Sequence, residues 1–431
     1  MVSATRLLQA RTRESKGNCP MNSVSIAFAG PFADVNFGDY GMLVNNLLDL
    51  RPARATLFSY DGDFLETICR SYLSDVEVTI VEVELRPEAA RRAQTGYVFT
   101  PLELVGLVIN ADRIREALES VDVLVVNGGG YFNDLWAMPH RIERLMKILA
   151  PILIADQMNM RIVFTGNTFG PFDASRELFA SLLTGLKRAT FGCRDALSSP
   201  ATLRALGIRE DQIVNVPDDL YLVNDALLAR PPTTLRPEGE YIVMETYLPV
   251  EYLRNNRSHF EHFSSAMKEN HGLDIVFLPF HLDHGGVDQA EYLAGILPHF
   301  RYIDIRESGY LRLEDAVDVI RNAKMVVSTR YHALVVALGC ETPIVNVLKD
   351  VLGDKRYYYN KSFGMISRVL EGARLNVPYY LQSEFPAALG FIEQNFEAIL
   401  EHQNHNQRTF APGNRDSLQT MREELFQKIR G

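Results

Sequence analysis

The sequence predicts an α/β protein built from two Rossmann-like, doubly wound domains that face each other across a cleft. Three observations predict it. Short Val/Ile/Leu-rich runs alternate with amphipathic helical stretches from Val24 onward. The runs are continuous rather than alternately polar, as in parallel strands covered on both faces. The pattern also stops at a Pro-rich segment and then starts again. Size agrees, because 431 residues exceed the roughly 250–300 at which a single core stops growing.

The first strand run is VSIAFAG, followed by ATLFSY, VTIVEV, VDVLVVNGGG, MRIVFTG, ATFGC and QIVNV. Among the helical stretches between them, RIERLMKILAPILIADQM and SRELFASLLTGLK carry apolar residues at three- and four-residue spacing. The segment RPPTTLRPEGE sets three Pro, one Gly and two Thr between periodic segments. It reads as a linker over 231–240, separating a domain over 22–230 from a second over 241–384. The second domain supplies YIVMETY, DIVFLPF, RYIDI, KMVVSTR and PIVNVL. Residues 385–431 read as a polar helical segment. Residues 1–21 read as a disordered leader, or as lying upstream of a start at Met21, since they lack the apolar stretch of a secretory signal.

Composition narrows the function. With 47% apolar and 23% charged residues the chain is of ordinary globular type. A net charge of −10 argues against a broad surface for nucleic acid. An anionic substrate would have to be held by a local cluster of Arg, Lys or His. Four scattered cysteines (Cys19, Cys69, Cys193, Cys340), with no CxxC pair, suit a reducing compartment and suggest neither disulfides nor a zinc site. No apolar run reaches the ~18–20 residues that span a bilayer. A cytoplasmic location is expected.

Chemistry-bearing residues cluster where strands end. Asn36-Phe37-Gly38-Asp39 follows the first strand and opens a helix. Backbone N–H groups there suit an anion, while Asp39 would repel one and is a residue type that caps helices; a tight turn is the plainer reading. Asn127-Gly128-Gly129-Gly130-Tyr131 ends the strongest strand run, and three glycines permit close backbone approach to a ligand, or a sharp turn. Asn167 lies in a similar loop after RIVFTG. Arg194, closing ATFGC, could clamp a carboxylate or phosphate, or pair locally with Asp195. The strongest signal is Ser328-Thr329-Arg330-Tyr331-His332, where an Arg and a His sit between a strand end and a helix start. A His there can transfer protons near neutrality; the duller alternative is a core His bonded to backbone. His281 and His284, and His402 with His405, lack a third metal ligand and read as a loop and a solvated face. No metal site is expected.

In order, these elements resemble the polysaccharide pyruvyl transferase family. They are an N-x-G-D turn, a GGG-aromatic strand end, a G-N-x-x-G-P loop, C-R-D, and S-x-R-x-H-A-L with G-x-x-x-P downstream. The similarity runs from about Ser25 to about Met365. The resemblance implies a GT-B-like fold and transfer of pyruvate from phosphoenolpyruvate to two hydroxyls of a cell-surface polysaccharide sugar, as a ketal. No cofactor is implied beyond phosphoenolpyruvate as donor co-substrate. It assigns donor binding and catalysis to Arg194, Arg330 and His332. The substrate-binding set implied or suggested is Asn36, Gly38, Asp39, Asn127, Gly128, Gly129, Gly130, Asn167 and Ser328. The family's lysine slot falls on Leu352, flanked by Lys349 and Lys355, and the run Tyr357-Tyr358-Tyr359 matches nothing in the family pattern. Expected partners are phosphoenolpyruvate and a sugar or lipid-linked oligosaccharide acceptor. A lipid-linked acceptor would bring peripheral association with the inner membrane face. The competing readings are a GT-B glycosyltransferase using a nucleotide sugar and a non-catalytic carbohydrate-binding protein.

Overall fold

Each predicted apolar run is a strand in the computed structural model, which describes residues 24–232, 237–351 and 353–431. The expected leader and Leu352 lie outside the described residues, as does part of the expected linker. The first domain contains β1 (Ser25–Ala29), β2 (Arg54–Ser59), β3 (Glu77–Glu82), β4 (Val123–Val126), β5 (Gly129–Phe132), β6 (Ile162–Phe169), β7 (Ala189–Cys193) and β8 (Ile213–Asn215). They form one sheet in the order β3-β2-β1-β4-β6-β7-β8, with β5 beside β6 and all pairs parallel. The second domain contains β9 (Tyr241–Glu245), β10 (Asp274–Phe277), β11 (Phe300–Tyr302), β12 (Met325–Ser328), β13 (Ile344–Val347) and β14 (Leu381–Gln382). Its order is β11-β10-β9-β12-β13-β14, again parallel. The two-residue β14 is too short to leave a hydrophobic signature and was not expected.

In both sheets the strand order reverses at the centre. β1 lies between β2 and β4, and β9 between β10 and β12. Ligands of doubly wound sheets bind at such reversal points, outside the carboxyl ends of the strands. Here both reversal points open onto the same gap. The loops after β1, β4, β9 and β12 therefore converge.

The domains are joined by apolar packing, not only by chain. One core cluster runs continuously from Phe37, Tyr40 and Leu43 of the first domain to Phe280, Tyr310 and Leu313 of the second. Phe37 and Phe280 meet edge to face with ring centres 4.9 Å apart, and Tyr40 donates to the Leu311 carbonyl. The long helix Phe385–Arg430, broken at Asn395, covers the second domain and then returns to the first. Its polar composition hides an apolar face including Leu389, Ile392, Leu425 and Ile429, all buried. Near its end Arg422 pairs with Asp49 at 2.8 Å and with buried Asp219 at 3.1 Å. Among the described residues no helix is long and apolar enough to cross a membrane.

Arg422 thus neutralises a carboxylate that has been taken out of water, and removing one partner of a buried pair is costly. Arg422→Met is expected to lower unfolding free energy by about 3–5 kcal/mol, read from urea unfolding. An unchanged midpoint would mean that the tail merely rests on the first domain.

Candidate functional site

The converging loops enclose a cavity of about 560 Å³ lined from both domains. On the first-domain side, the helix Phe37–Leu50 starts immediately after the β1 loop. Asn36 does not cap it; its Nδ2 donates to Asp39 Oδ2 at 2.6 Å. Both residues line the cavity. Burial raises the Asp39 carboxyl to about 7, reinforced by Asp34 and opposed by the Asn36 hydrogen bond, Arg194 and Lys361. The group therefore changes charge near neutrality.

On the second-domain side, the turn between β12 and the helix Tyr331–Gly339 is held by one wholly buried carboxylate, Glu245, at the end of β9. Glu245 Oε2 accepts from Ser328 Oγ (2.8 Å), Thr329 N (3.1 Å) and Arg330 N (3.1 Å), while Oε1 accepts from Arg330 Nε (3.3 Å). Ser328 is therefore a structural member of the turn; it is buried and does not line the cavity. Arg330 and His332 do. Burial, and then Arg194, Lys361 and Arg330, hold the His332 imidazole well below the ordinary histidine range, so it is neutral. Its Nε2 is buried without a hydrogen-bond partner among the described residues.

His332 meets the first domain at Gly38. A Cβ built on Gly38 would lie 1.7 Å from His332 Nδ1, so the imidazole rests directly on glycine backbone. This is why the N-x-G-D turn needs its glycine: the reason is close approach, with no unusual backbone angle involved.

Arg194 is 1% exposed and yet reaches the cavity. The local pair with Asp195 does not form. Arg194 Nη1 donates to Asp218 Oδ2 and Nε to Thr168 Oγ1, each at 2.8 Å, while Asp195 caps the next helix through Ser198 N and Ser199 N. Of Asn127, Gly128, Gly129 and Gly130 only the last lines the cavity, and its carbonyl accepts from Tyr357 Oη at 2.8 Å. Asn127 Oδ1 accepts from Asn46, Gly128 N donates to Asp219, and Asn167 Nδ2 donates to the Val126 carbonyl. These three lie beneath the site and support it.

The lysines differ from expectation. Lys349 lines the cavity, but Lys355 does not: its ammonium is tied to Glu384 and the Ser383 carbonyl, each at 2.7 Å. A lysine not singled out in the sequence, Lys361 on the helix Arg356–Val369, is buried and lines the cavity instead. It lies inside the helix, about one and a half turns past its start, and no strand-end signal marks it. His281 and His284, discounted above for want of a third metal ligand, also line the cavity. Burial, then Arg330 and His284, lowers His281 to about 4. His402 lies elsewhere, accepting from Asn376 N. Sequence reasoning also missed Glu245 and Asp218, because a buried carboxylate has no signature that separates it from a surface one.

Two outcomes follow from this geometry. At a helical position Gly→Ala ordinarily stabilises by roughly 0.5–1 kcal/mol. Gly38→Ala is instead expected to destabilise by about 1–3 kcal/mol through collision with His332, measured by urea unfolding; a stabilised variant would show that the imidazole sits elsewhere. Asp39 holds its proton to higher pH in the native state (about 7) than at its ordinary value of 3.8. Ionising it therefore costs stability, from about pH 4 upward and fully above pH 7. Asp39→Asn should stabilise by up to about 4 kcal/mol at pH 8 and little at pH 4. An identical change at both pH values would contradict this.

Comparison with known proteins agrees with the architecture. A polysaccharide pyruvyl transferase family model matches residues 54–348. No curated protein matches. Similar solved structures include UDP-GlcNAc 2-epimerase from Neisseria meningitidis bound to UDP-GlcNAc, at 10% identity over 93% of this chain and 99% of that one, TM-score 0.55. UDP-GlcNAc 2-epimerase from Methanocaldococcus jannaschii is 12% identical over 87% and 92%, TM-score 0.52. An Anabaena protein in complex with UDP and glucose is 13% identical over 94% and 99%, TM-score 0.52. At these identities the likeness is one of fold, the GT-B type with two parallel sheets facing a cleft. The family match covers more than half of the sequence: this chain belongs to the polysaccharide pyruvyl transferase family.

Proposed function

We propose that the protein transfers pyruvate from phosphoenolpyruvate to two hydroxyls of one sugar in a cell-surface polysaccharide or its precursor, releasing phosphate. The observation that carries this reading is the convergence of Arg194, Arg330, Lys349 and Lys361 with His332 in one interdomain cavity of an otherwise acidic chain. Phosphoenolpyruvate brings about three negative charges, from a phosphate and a carboxylate. Taking it out of water requires several convergent cations. Arg194 Nη2 has no hydrogen bond among the described residues and suits a planar oxyanion.

The reaction needs one proton on C3 of the enol and oxygen attack at C2. The first acceptor hydroxyl gives up a proton as its oxygen bonds to C2, and a proton is delivered to C3. The second hydroxyl then displaces phosphate, its proton leaving with that group. A neutral imidazole with an unpartnered Nε2 can take the first proton and pass it to C3, so His332 serves as an acid/base shuttle, a role typically worth ~10²–10⁴-fold. The cations stabilise the charge that develops at C2 and on the leaving phosphate. No cofactor takes part in this scheme. The acceptor is a free or lipid-linked sugar in the cytoplasm, the latter reached at the inner membrane face.

His332→Ala is expected to reduce phosphate release from phosphoenolpyruvate and a hexoside panel at least ~10²-fold while preserving thermal stability within a few degrees. Mass spectrometry should find pyruvate added to the sugar with the native protein only. A nucleotide sugar that raises the melting temperature while phosphoenolpyruvate does not would reject the donor in favour of glycosyl transfer.

A further inference from the structure

Along one wall of the cavity, cations and tyrosine rings alternate. The Arg330 guanidinium carbon lies 4.4 Å from the Tyr247 ring centre, and Lys349 Nζ lies 3.2 Å from that same ring. Lys349 is 5.2 Å from the Tyr358 ring, which is 4.3 Å from Lys361 Nζ. Lys361 also faces Tyr357 at 4.3 Å and Tyr331 at 4.9 Å. Tyr331 carries Arg194 at 4.4 Å. The two guanidiniums that end the series are each paired with a buried carboxylate, Glu245 at 3.3 Å and Asp218 at 2.8 Å. Between them, Lys349 and Lys361 have no ion pair or hydrogen bond among the described residues.

Four like charges crowded away from water repel one another, and ammonium groups can escape by losing a proton. A carboxylate beside each lysine would prevent that, but it would also occupy the lysine and repel an incoming anion. An aromatic face attracts a cation through its quadrupole and carries no formal charge. We propose that Tyr247, Tyr331, Tyr357 and Tyr358 are positioning residues that keep Lys349 and Lys361 cationic and uncommitted, so that the wall offers its charge to a bound oxyanion. The Tyr357-Tyr358-Tyr359 run, unmatched in the family pattern, thereby gains a role for its first two members. Tyr359 faces away, stacked on Phe363 and 37% exposed, and serves as an internal control.

The lysines are under the strain this device would relieve. Burial, and then Arg330, press Lys349 well below the ordinary lysine range, with Arg141 adding to this and Glu245 opposing it. For Lys361 burial comes first, then Arg194 and Lys349, with Asp39 and Asp218 opposing. A bound anion favours the protonated lysines over the neutral ones, so anion affinity falls as pH rises. The inference rests on the anion-binding reading of the cavity, though not on which anion the enzyme consumes.

The test is calorimetric binding of sulfate, whose charge is constant over the range, to the full chain at pH 6.5 and 8.5. Tyr358→Phe, Tyr247→Phe and Tyr359→Leu are expected to bind within about twofold of the native protein. Tyr358→Leu and Tyr247→Leu should bind at least about tenfold more weakly, with the larger deficit at pH 8.5. Equal losses for Phe and Leu, or none for Leu, overturn the proposal. Should a Leu variant fail to fold, two further measurements decide. Native affinity must fall from pH 6.5 to 8.5, and a fall must persist in Asp39→Asn, which removes the carboxyl that ionises near pH 7, but vanish when Lys349→Met and Lys361→Met are added to it; a flat profile, or a dependence that outlives both lysines, overturns the proposal. If sulfate behaves as expected while phosphoenolpyruvate is neither bound nor turned over, only the donor assignment fails.

Discussion

The whole site answers one electrostatic constraint: positive charge must be held close together, out of water, without being cancelled. The chain is acidic, so the charge cannot come from a diffuse surface potential. It is placed by strand ends and helix starts of two sheets whose reversal points share a gap. Buried acids fix the framework. Glu245 binds the turn that presents Arg330, and Asp218 binds Arg194. Each acid hydrogen-bonds one guanidinium, and neither forms an ion pair with an ammonium group among the described residues.

This constraint also explains the layers beneath. Asn127, Gly128 and Asn167, at or near strand ends, do not line the cavity, yet the Asn127 side chain and the Gly128 backbone belong to a hydrogen-bond network with Asn46 and Asp219. Asp219 is in turn held by Arg422 from the far end of the chain. The network is not completely satisfied, since Asn127 Nδ2 has no partner among the described residues, so the bonds that remain carry the burial cost of its polar groups. The C-terminal helix is thus part of the support of the first-domain loops as well as a cover for the second domain.

Much of this was legible in the sequence. Parallel strands expose their carboxyl ends to the cleft, so Arg330 and His332 could be placed near a ligand from position; position leaves Asn36, Asp39 and Arg194 open between a ligand role and a local one, and only the family resemblance suggests Lys349. What could not be read was depth: Ser328 and Gly128 share the strand-end signal with Arg330 and Gly130 but point into the supporting layer. Lys355 and Lys349 flank the same short loop, and nothing in their neighbours says that one turns outward to Glu384. Lys361 lies mid-helix, where periodicity marks a face without saying what that face meets. His281 and His284 were set aside by asking only whether they could bind metal, when the loop bearing them forms one lip of the cavity.

The seat of His332 on Gly38 has a wider consequence. Imidazole and glycine belong to different domains, and their contact leaves no room even for a methyl group. Any hinge movement that parts the sheets lifts the ring from its backing before it disturbs either domain internally. The seat of the imidazole is therefore a joint product of both domains, and neither provides it alone.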